Sequence, residues 1–369
     1  MKVALHAVAA TKQGASTEVI AGTLRGLRHA APENDYVLFL NSELDIDLPA
    51  GTSRIEARLG GAASRILWDQ VSYPRLLKRI GADISIACFG FTAIRPEVPQ
   101  VVILQNALYF CGIPKTSPYA SQRSLRLERW LLHRIVRSAN SVVVPSQTMA
   151  DGVRPWLSHS SGGAIVIPDA WEYEVSDVMT RSWSEPWKLV YIAHLERHKA
   201  HLELIDIASE LRRRGRRAVF SIGIDEKDEP EIYAAFTRRM AEEDLADWFD
   251  VSGRVPRAAV TKKMLAADCF ISPTKCESFG YSYLEATGAG LPVVSSDIPI
   301  AREMLGDGAL FYRDASKAAD QIERLSAEPS LGVELAEKAR SHQKLWTLTW
   351  EEYGERLATV ISSLSSSPR

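Results

Sequence analysis

The chain has 369 residues, more than one hydrophobic core usually spans, so two domains are expected. Hydrophobic residues make up 46% and charged residues 24%, which excludes a disordered or fibrous chain. A formal net charge of −2 excludes a protein dominated by contacts to nucleic-acid phosphates.

In chain order, short apolar runs alternate with longer segments of helical period. Strands are expected at 2–8, 35–40, 84–89, 101–106, 141–146 and 164–169, then at 188–195, 218–224, 249–255, 269–274, 292–297 and 309–314. These runs are apolar almost throughout rather than alternating, as parallel strands buried on both faces are. With helical patterns between them, they predict an α/β chain of βαβ units. Residues 170–187 lack a period and read as a linker between a lobe at 1–169 and a lobe at 188–348. Residues 349–369 read as a helix that crosses back to the first lobe, with a frayed Ser-rich tail. Ligands of open parallel sheets bind at the carboxyl ends of the strands, so the cleft between two such lobes is the expected site.

The opening MKVALHAVAATKQG turns polar too early for a signal peptide, and no apolar run approaches the ~20 residues of a membrane span. Cys88, Cys111, Cys269 and Cys276 form no CxxC pair and no zinc spacing. Cys88 and Cys269 lie in apolar runs and are expected to be buried free thiols. Together these features point to a reducing, cytoplasmic location, with room for peripheral contact at the inner face of a membrane. Residues 123–137 carry five arginines against one glutamate, beside Leu125, Trp130, Leu131, Leu132, Ile135 and Val136. Such a helix can lie on anionic lipid or can be a core helix with a solvated basic face, and the second reading is favoured.

The segment from Pro273 to Asp297 carries the strongest signal. A strand end is followed by a loop with Glu277, Ser278, Phe279 and Gly280, then by a short helix from Tyr281 through Glu285 that ends near Gly288 and Gly290. Gly280 lets the backbone approach a ligand, and the helix start favours an anion such as a diphosphate. Glu277 and Glu285 are placed to accept hydrogen bonds from two parts of one ligand.

Here the chain resembles glycosyltransferase family 4, whose hallmark is two glutamates in the pattern E-x-F-G-x-x-x-x-E followed by G-x-P-V-V. The sequence reads Glu277-Ser-Phe-Gly-Tyr-Ser-Tyr-Leu-Glu285, then Gly290-Leu-Pro-Val-Val294. The resemblance implies a GT-B fold, two Rossmann-like lobes facing across a cleft. The first lobe would bind the acceptor and the second a nucleotide sugar. It also implies a retaining transferase that moves a hexose-type sugar, mannosyl or related, in bacterial surface-polysaccharide synthesis. No metal or cofactor is implied beyond the nucleotide-sugar co-substrate. Upstream, Lys199 matches the family's diphosphate-gripping lysine, whereas His194 stands where arginine is usual. His194 then titrates in use, hands its role to Arg197, or signals a different acceptor geometry. Ser252-Gly253-Arg254-Val255 looks like the loop that contacts the base or, equally, a plain turn. Ser295, Asp297 and Glu303 match the family's following pattern, with Glu303 the more structural.

In the first half the resemblance is looser. Thr11–Ser16 stands where the family has a two-glycine loop, but holds only Gly14, followed by Ala15; it is a donor- and acceptor-side loop or a simple turn. Gln105 and Asn106 occupy a strand end where His-Asp is usual and can hold sugar hydroxyls, but neither can act as a general base. Ile167-Pro-Asp-Ala170 replaces the family's hinge. The roles implied are catalysis for Glu277, Lys199 and His194. Donor binding falls to Glu285, Ser278, Phe279, Gly280, Tyr281, Arg254, Gly253 and Arg197. Acceptor binding falls to Gly14, Ala15, Gln105 and Asn106. A sugar-nucleotide epimerase and an inactive sugar-binding protein remain as alternatives; a nicotinamide dehydrogenase does not, since no GxGxxG follows a strand.

Overall fold

A computed structural model describes residues 1–10, 15–42, 44–112, 125–158, 163–170 and 175–365. The chain divides into two compact units. The first holds Met1–Phe110, Arg123–Trp171 and Thr347–Arg369; the second holds Cys111–Gln122 and Glu172–Trp346.

The first unit is built on seven strands: β1 (Lys2–His6), β2 (Asp35–Asn41), β3 (Ser53–Ala57), β4 (Ile84–Ala87), β5 (Gln100–Ile103), β6 (Ser141–Val144) and β7 (Ala164–Val166). They pair in the order β3-β2-β1-β4-β5-β6-β7, and every pairing is parallel. Strands β4, β5 and β6 are buried along their whole length, which is why they read as unbroken apolar runs. The helix Trp350–Ser365 returns to this unit and packs on Ala15–Ala30. Trp350, Tyr353, Leu357 and Ile361 join Val19, Ile20, Leu24 and Leu27 in one core. The two helix backbones touch at Gly26 and Gly354, where a Cβ on either would collide with main chain of the other helix. His6 Nε2 and Asp69 Oδ1 lie 2.7 Å apart, both residues being buried, and this bond fixes the π-helical turn Trp68–Ser72 against β1.

Six strands form the second unit: β8 (Trp187–Tyr191), β9 (Ala218–Ile222), β10 (Phe249–Val251), β11 (Cys269–Ser272), β12 (Val293–Ser296) and β13 (Leu310–Tyr312). Their order is β10-β9-β8-β11-β12-β13, again parallel throughout. Both units are therefore Rossmann-like α/β sheets, as the sequence pattern predicts. Residues 175–186 contain no helix or strand, yet they are fastened to the second unit. Ser176 N donates to Gly288 O at 2.8 Å, Arg340 donates to Ser176 O at 2.5 Å, and Arg181 donates to Leu265 O and Ala289 O. Among the described residues no helix is long and apolar enough to cross a membrane.

Candidate active site

The second sheet changes direction between β8 and β11, where the chain first builds outward through β9 and β10 and then resumes on the other side. Leu189 pairs with Cys269 and Val190 with Phe270 across that point. The loops leaving the carboxyl ends of these neighbours must meet, although they are far apart in sequence. This is the place where an open parallel sheet binds its ligand.

After β8 the chain reaches the 3-10 turn Arg197–Lys199 and then Ala200, at a left-handed φ of 54°. Tyr191 Oη holds the Lys199 carbonyl at 3.2 Å. From β11 comes the loop 273–280. Lys275 N and Thr274 Oγ1 both donate to the His198 carbonyl, at 2.8 and 3.2 Å, so one main-chain and one side-chain bond stitch the two loops together. The stitching brings Lys199 Nζ onto Glu277 Oε1 as an ion pair whose side chains are 18% and 11% exposed. Beside it a second pair forms in the opposite sense, Lys275 Nζ to Glu203 Oε2 at 2.5 Å, with Ser296 Oγ 3.2 Å from the same ammonium. Burial pushes the Glu203 carboxyl above its ordinary range, against the pull of Lys275.

Gly280 ends the loop with φ 86° and caps the helix Tyr281–Gly288. A Cβ there would lie 2.5 Å from the Tyr283 ring, so both the turn and the close packing require glycine. The helix is anchored from below: Tyr283 Oη lies 3.0 Å from Ser295 Oγ and 3.3 Å from Ser272 Oγ, and Thr287 Oγ1 donates to Tyr283 O and to Gln343. Its first turn follows directly on the loop that carries Glu277 and opens with N–H groups that have no partner within the helix. Glu285 lies one turn further on and is half-buried. Ser278 and Tyr281 are also half-buried, but the Phe279 ring is fully buried and edges onto Tyr281 at 5.5 Å. Only the backbone of Phe279 is left for a ligand, a refinement of its expected donor role.

His194 is 70% exposed and places Nδ1 3.6 Å from Asp228 Oδ2. Arg254 also pairs with Asp228 and lies 3.9 Å from Asp225. Gly253 precedes it at φ 63°. Arg197 turns away to Glu231 at 3.0 Å. Ser295 is committed to Tyr283, and Asp297 to Arg302 and Arg313 at 2.5 and 3.1 Å. The Glu303 carbonyl lies 2.8 Å from His342 Nε2.

Sequence reasoning missed His198 and His201, which flank Lys199. Burial, then the Lys199 charge, pushes both imidazoles down to about 3. For His198 this outweighs the half-exposed Glu196 carboxylate 3.3 Å from Nε2. Both rings are neutral at pH 7. A spacing rule for such a pair does not exist; only the apolar neighbours Leu195 and Leu202 hint at burial.

The cysteines divide into two kinds. Cys88 and Cys269 are buried free thiols, and burial pushes Cys88 up to about 12. Cys111 and Cys276, for which sequence spacing offered no partner, are joined in a disulfide, whereas the free-thiol expectation for Cys88 and Cys269 holds. The disulfide fastens the residue immediately before Glu277.

In the first unit, Gln105 Nε2 donates to Asp169 Oδ1 at 3.4 Å, and Asn106 Oδ1 accepts from Leu108 N at 3.0 Å, capping a 3-10 turn. Gly14 lies outside the described residues; Ala15 opens the helix Ala15–Ala30, its side chain outside them. In Leu125–Ser138, the side chains of Leu131, Leu132, Ile135 and Val136 are buried in the unit. Among the described side chains of that helix, the exposed large apolar ones are Leu127 and Trp130, at 61% and 58%.

The chain is similar to known proteins in sequence and in fold. Over 302 residues the chain is 23% identical to the alpha-D-kanosaminyltransferase of Streptomyces kanamyceticus, covering 75% of this chain and 76% of that protein. Sucrose-phosphate synthase from Thermosynechococcus elongatus superposes with a TM-score of 0.74 at 17% identity, over 98% of each chain. HepE from Anabaena, in complex with UDP and glucose, superposes with a TM-score of 0.71 at 15% identity, over 98% of this chain and all of that one. The fold is that of these GT-B proteins. Residues 179–342, which hold Lys199, Glu277 and Glu285, match the family model described as glycosyl transferases group 1 and form a domain of that group.

Proposed function

We propose that the chain is a retaining glycosyltransferase that moves a hexose-type sugar from a nucleoside diphosphate to a glycan or lipid-linked acceptor in bacterial surface-polysaccharide synthesis. The observation that carries this reading is the Lys199–Glu277 pair on the loop that leads into the helix Tyr281–Gly288. A diphosphate takes Lys199 and the helix N–H groups, which frees Glu277 to accept hydrogen bonds from the sugar hydroxyls. Glu285, one turn along, takes the ribose. Arg254, held by Asp228, supplies further positive charge to the nucleotide, and His194 on the same carboxylate offers a ring nitrogen for hydrogen bonding. HepE, of the same fold, is described in complex with UDP and glucose, which supports a nucleotide-sugar donor.

Transfer follows a front-face course. The bond from the anomeric carbon to the diphosphate oxygen breaks, the acceptor oxygen forms a bond to the same face, and the departing diphosphate takes the acceptor proton. The protein contributes positioning and stabilisation of the leaving charge. Gln105 and Asn106 are proposed acceptor contacts. Leu127 and Trp130, exposed beside Arg126 and Arg134, are proposed to rest on the anionic cytoplasmic face of a membrane. Co-sedimentation with vesicles checks that contact: binding only to vesicles with anionic lipid supports it, and equal binding to neutral ones removes it.

Incubation with UDP-, GDP- and ADP-sugars, with and without a glycan acceptor, tests the main reading. Acceptor-dependent release of nucleoside diphosphate, with product of retained anomeric configuration by NMR, supports it. Isomerised donor in the absence of acceptor supports an epimerase instead, and donor binding without turnover supports a sugar-binding protein.

A further inference from the structure

The loop that carries Glu277 is held by two ion pairs of opposite sense. The 196–203 segment supplies Lys199 and Glu203, the 274–277 segment supplies Lys275 and Glu277, and each lysine meets the other segment's glutamate. In the donor reading above, on which this inference rests, the first pair must open when the diphosphate takes Lys199. The second is given no donor contact in that reading, and its ammonium is also held by Ser296 at the end of β12. We infer that Glu203 and Lys275 are positioning residues for the transfer reaction: their bond keeps residues 274–280 in register with the Lys199 turn while the Lys199–Glu277 pair is open. Toward the Lys199 turn, the Lys275 N–H and the Thr274 hydroxyl both end on one atom, the His198 carbonyl oxygen, while the disulfide at Cys276 runs to Cys111 instead. The Glu203–Lys275 pair adds a second fixed point, so the Glu277 carboxylate stays aimed at the sugar. Displacement of a substrate-positioning group by about 1 Å costs roughly 10²-fold in rate.

Lys275→Met, Glu203→Gln and the exchanged pair Lys275→Glu with Glu203→Lys test the inference. In either single variant kcat/KM for transfer falls at least ~10-fold, while affinity for the nucleoside diphosphate alone stays within about threefold of wild type, because Glu277 meets the sugar and not the nucleotide. Restored kcat/KM in the exchanged pair adds support. Amide exchange of residues 274–280, followed by mass spectrometry, is faster in Lys275→Met than in wild type even without donor. Three results overturn the inference: kcat/KM within twofold of wild type in Lys275→Met, nucleoside diphosphate affinity lost in step with it, or unchanged amide exchange. A wild-type protein that transfers no sugar defeats the functional reading instead, and the exchange measurement still decides the positioning role.

Discussion

Lys199 and Glu277 are 78 residues apart in the chain and are joined side chain to side chain where β8 and β11 lie next to each other. Each is the other's charge partner in a half-closed setting. Removing one leaves an ion with poor access to water, which costs about 1–3 kcal/mol. Thermal and urea unfolding of Lys199→Met, Glu277→Gln and the double variant should show that the double is less destabilised than the sum of the singles. Strict additivity would mean that the pair contributes nothing to the fold.

Gly280 is predicted to resist substitution. Alanine there adopts φ near 86° at a cost of about 1 kcal/mol, and its Cβ meets the Tyr283 ring. Gly280→Ala should unfold at lower urea, with the helix Tyr281–Gly288 exchanging its amides faster. Unchanged unfolding would contradict the packing described for Tyr283.

A pH dependence follows from His198 and His201. In the unfolded chain both imidazoles take up a proton as the pH falls through 6.5; in the native protein they do so only near about 3. The unfolded state therefore binds more protons between these limits. Stability is greatest above pH 6.5 and falls as the pH drops, by up to ~1.4 kcal/mol per pH unit for each ring. Urea midpoints at pH 7 and pH 5 measure the slope. His201→Phe, which keeps the ring contact with Tyr191, should remove part of it.

The Cys111–Cys276 disulfide makes a count. Alkylation of the denatured, unreduced protein should place two labels, on Cys88 and Cys269, and alkylation after reduction should place four. Four labels without reductant would show the pair as thiols.

How much of this could be read in the sequence varied with the range of the interactions involved. The buried parallel strands announce themselves as apolar runs, whereas β3 does not: it lies at the sheet edge, and Ser53, Arg54 and Glu56 face solvent. Expected strands also ran two to four residues too long at the site, as at 188–195 and 269–274, because Leu195 and Thr274 are buried loop residues with strand-like character. The spacing of Glu277 and Glu285 on a loop and helix was legible because it is local. The crossed pairs to Lys199 and Glu203, and the bond from Cys276 to Cys111 across 165 residues, depend on which strands become neighbours, and no local pattern encodes that. The turn cap at Asn106 is local too: its side chain accepts from Leu108 N two residues on, as an Asn at a turn start does.

The central claim is that Glu277 turns from Lys199 to the transferred sugar. Its most direct test is kcat/KM for sugar transfer by Glu277→Ala against wild type, with folding followed by circular dichroism. A fall of at least ~10²-fold in a folded variant that still binds nucleoside diphosphate is predicted. A folded variant with near-wild-type kcat/KM would contradict the account.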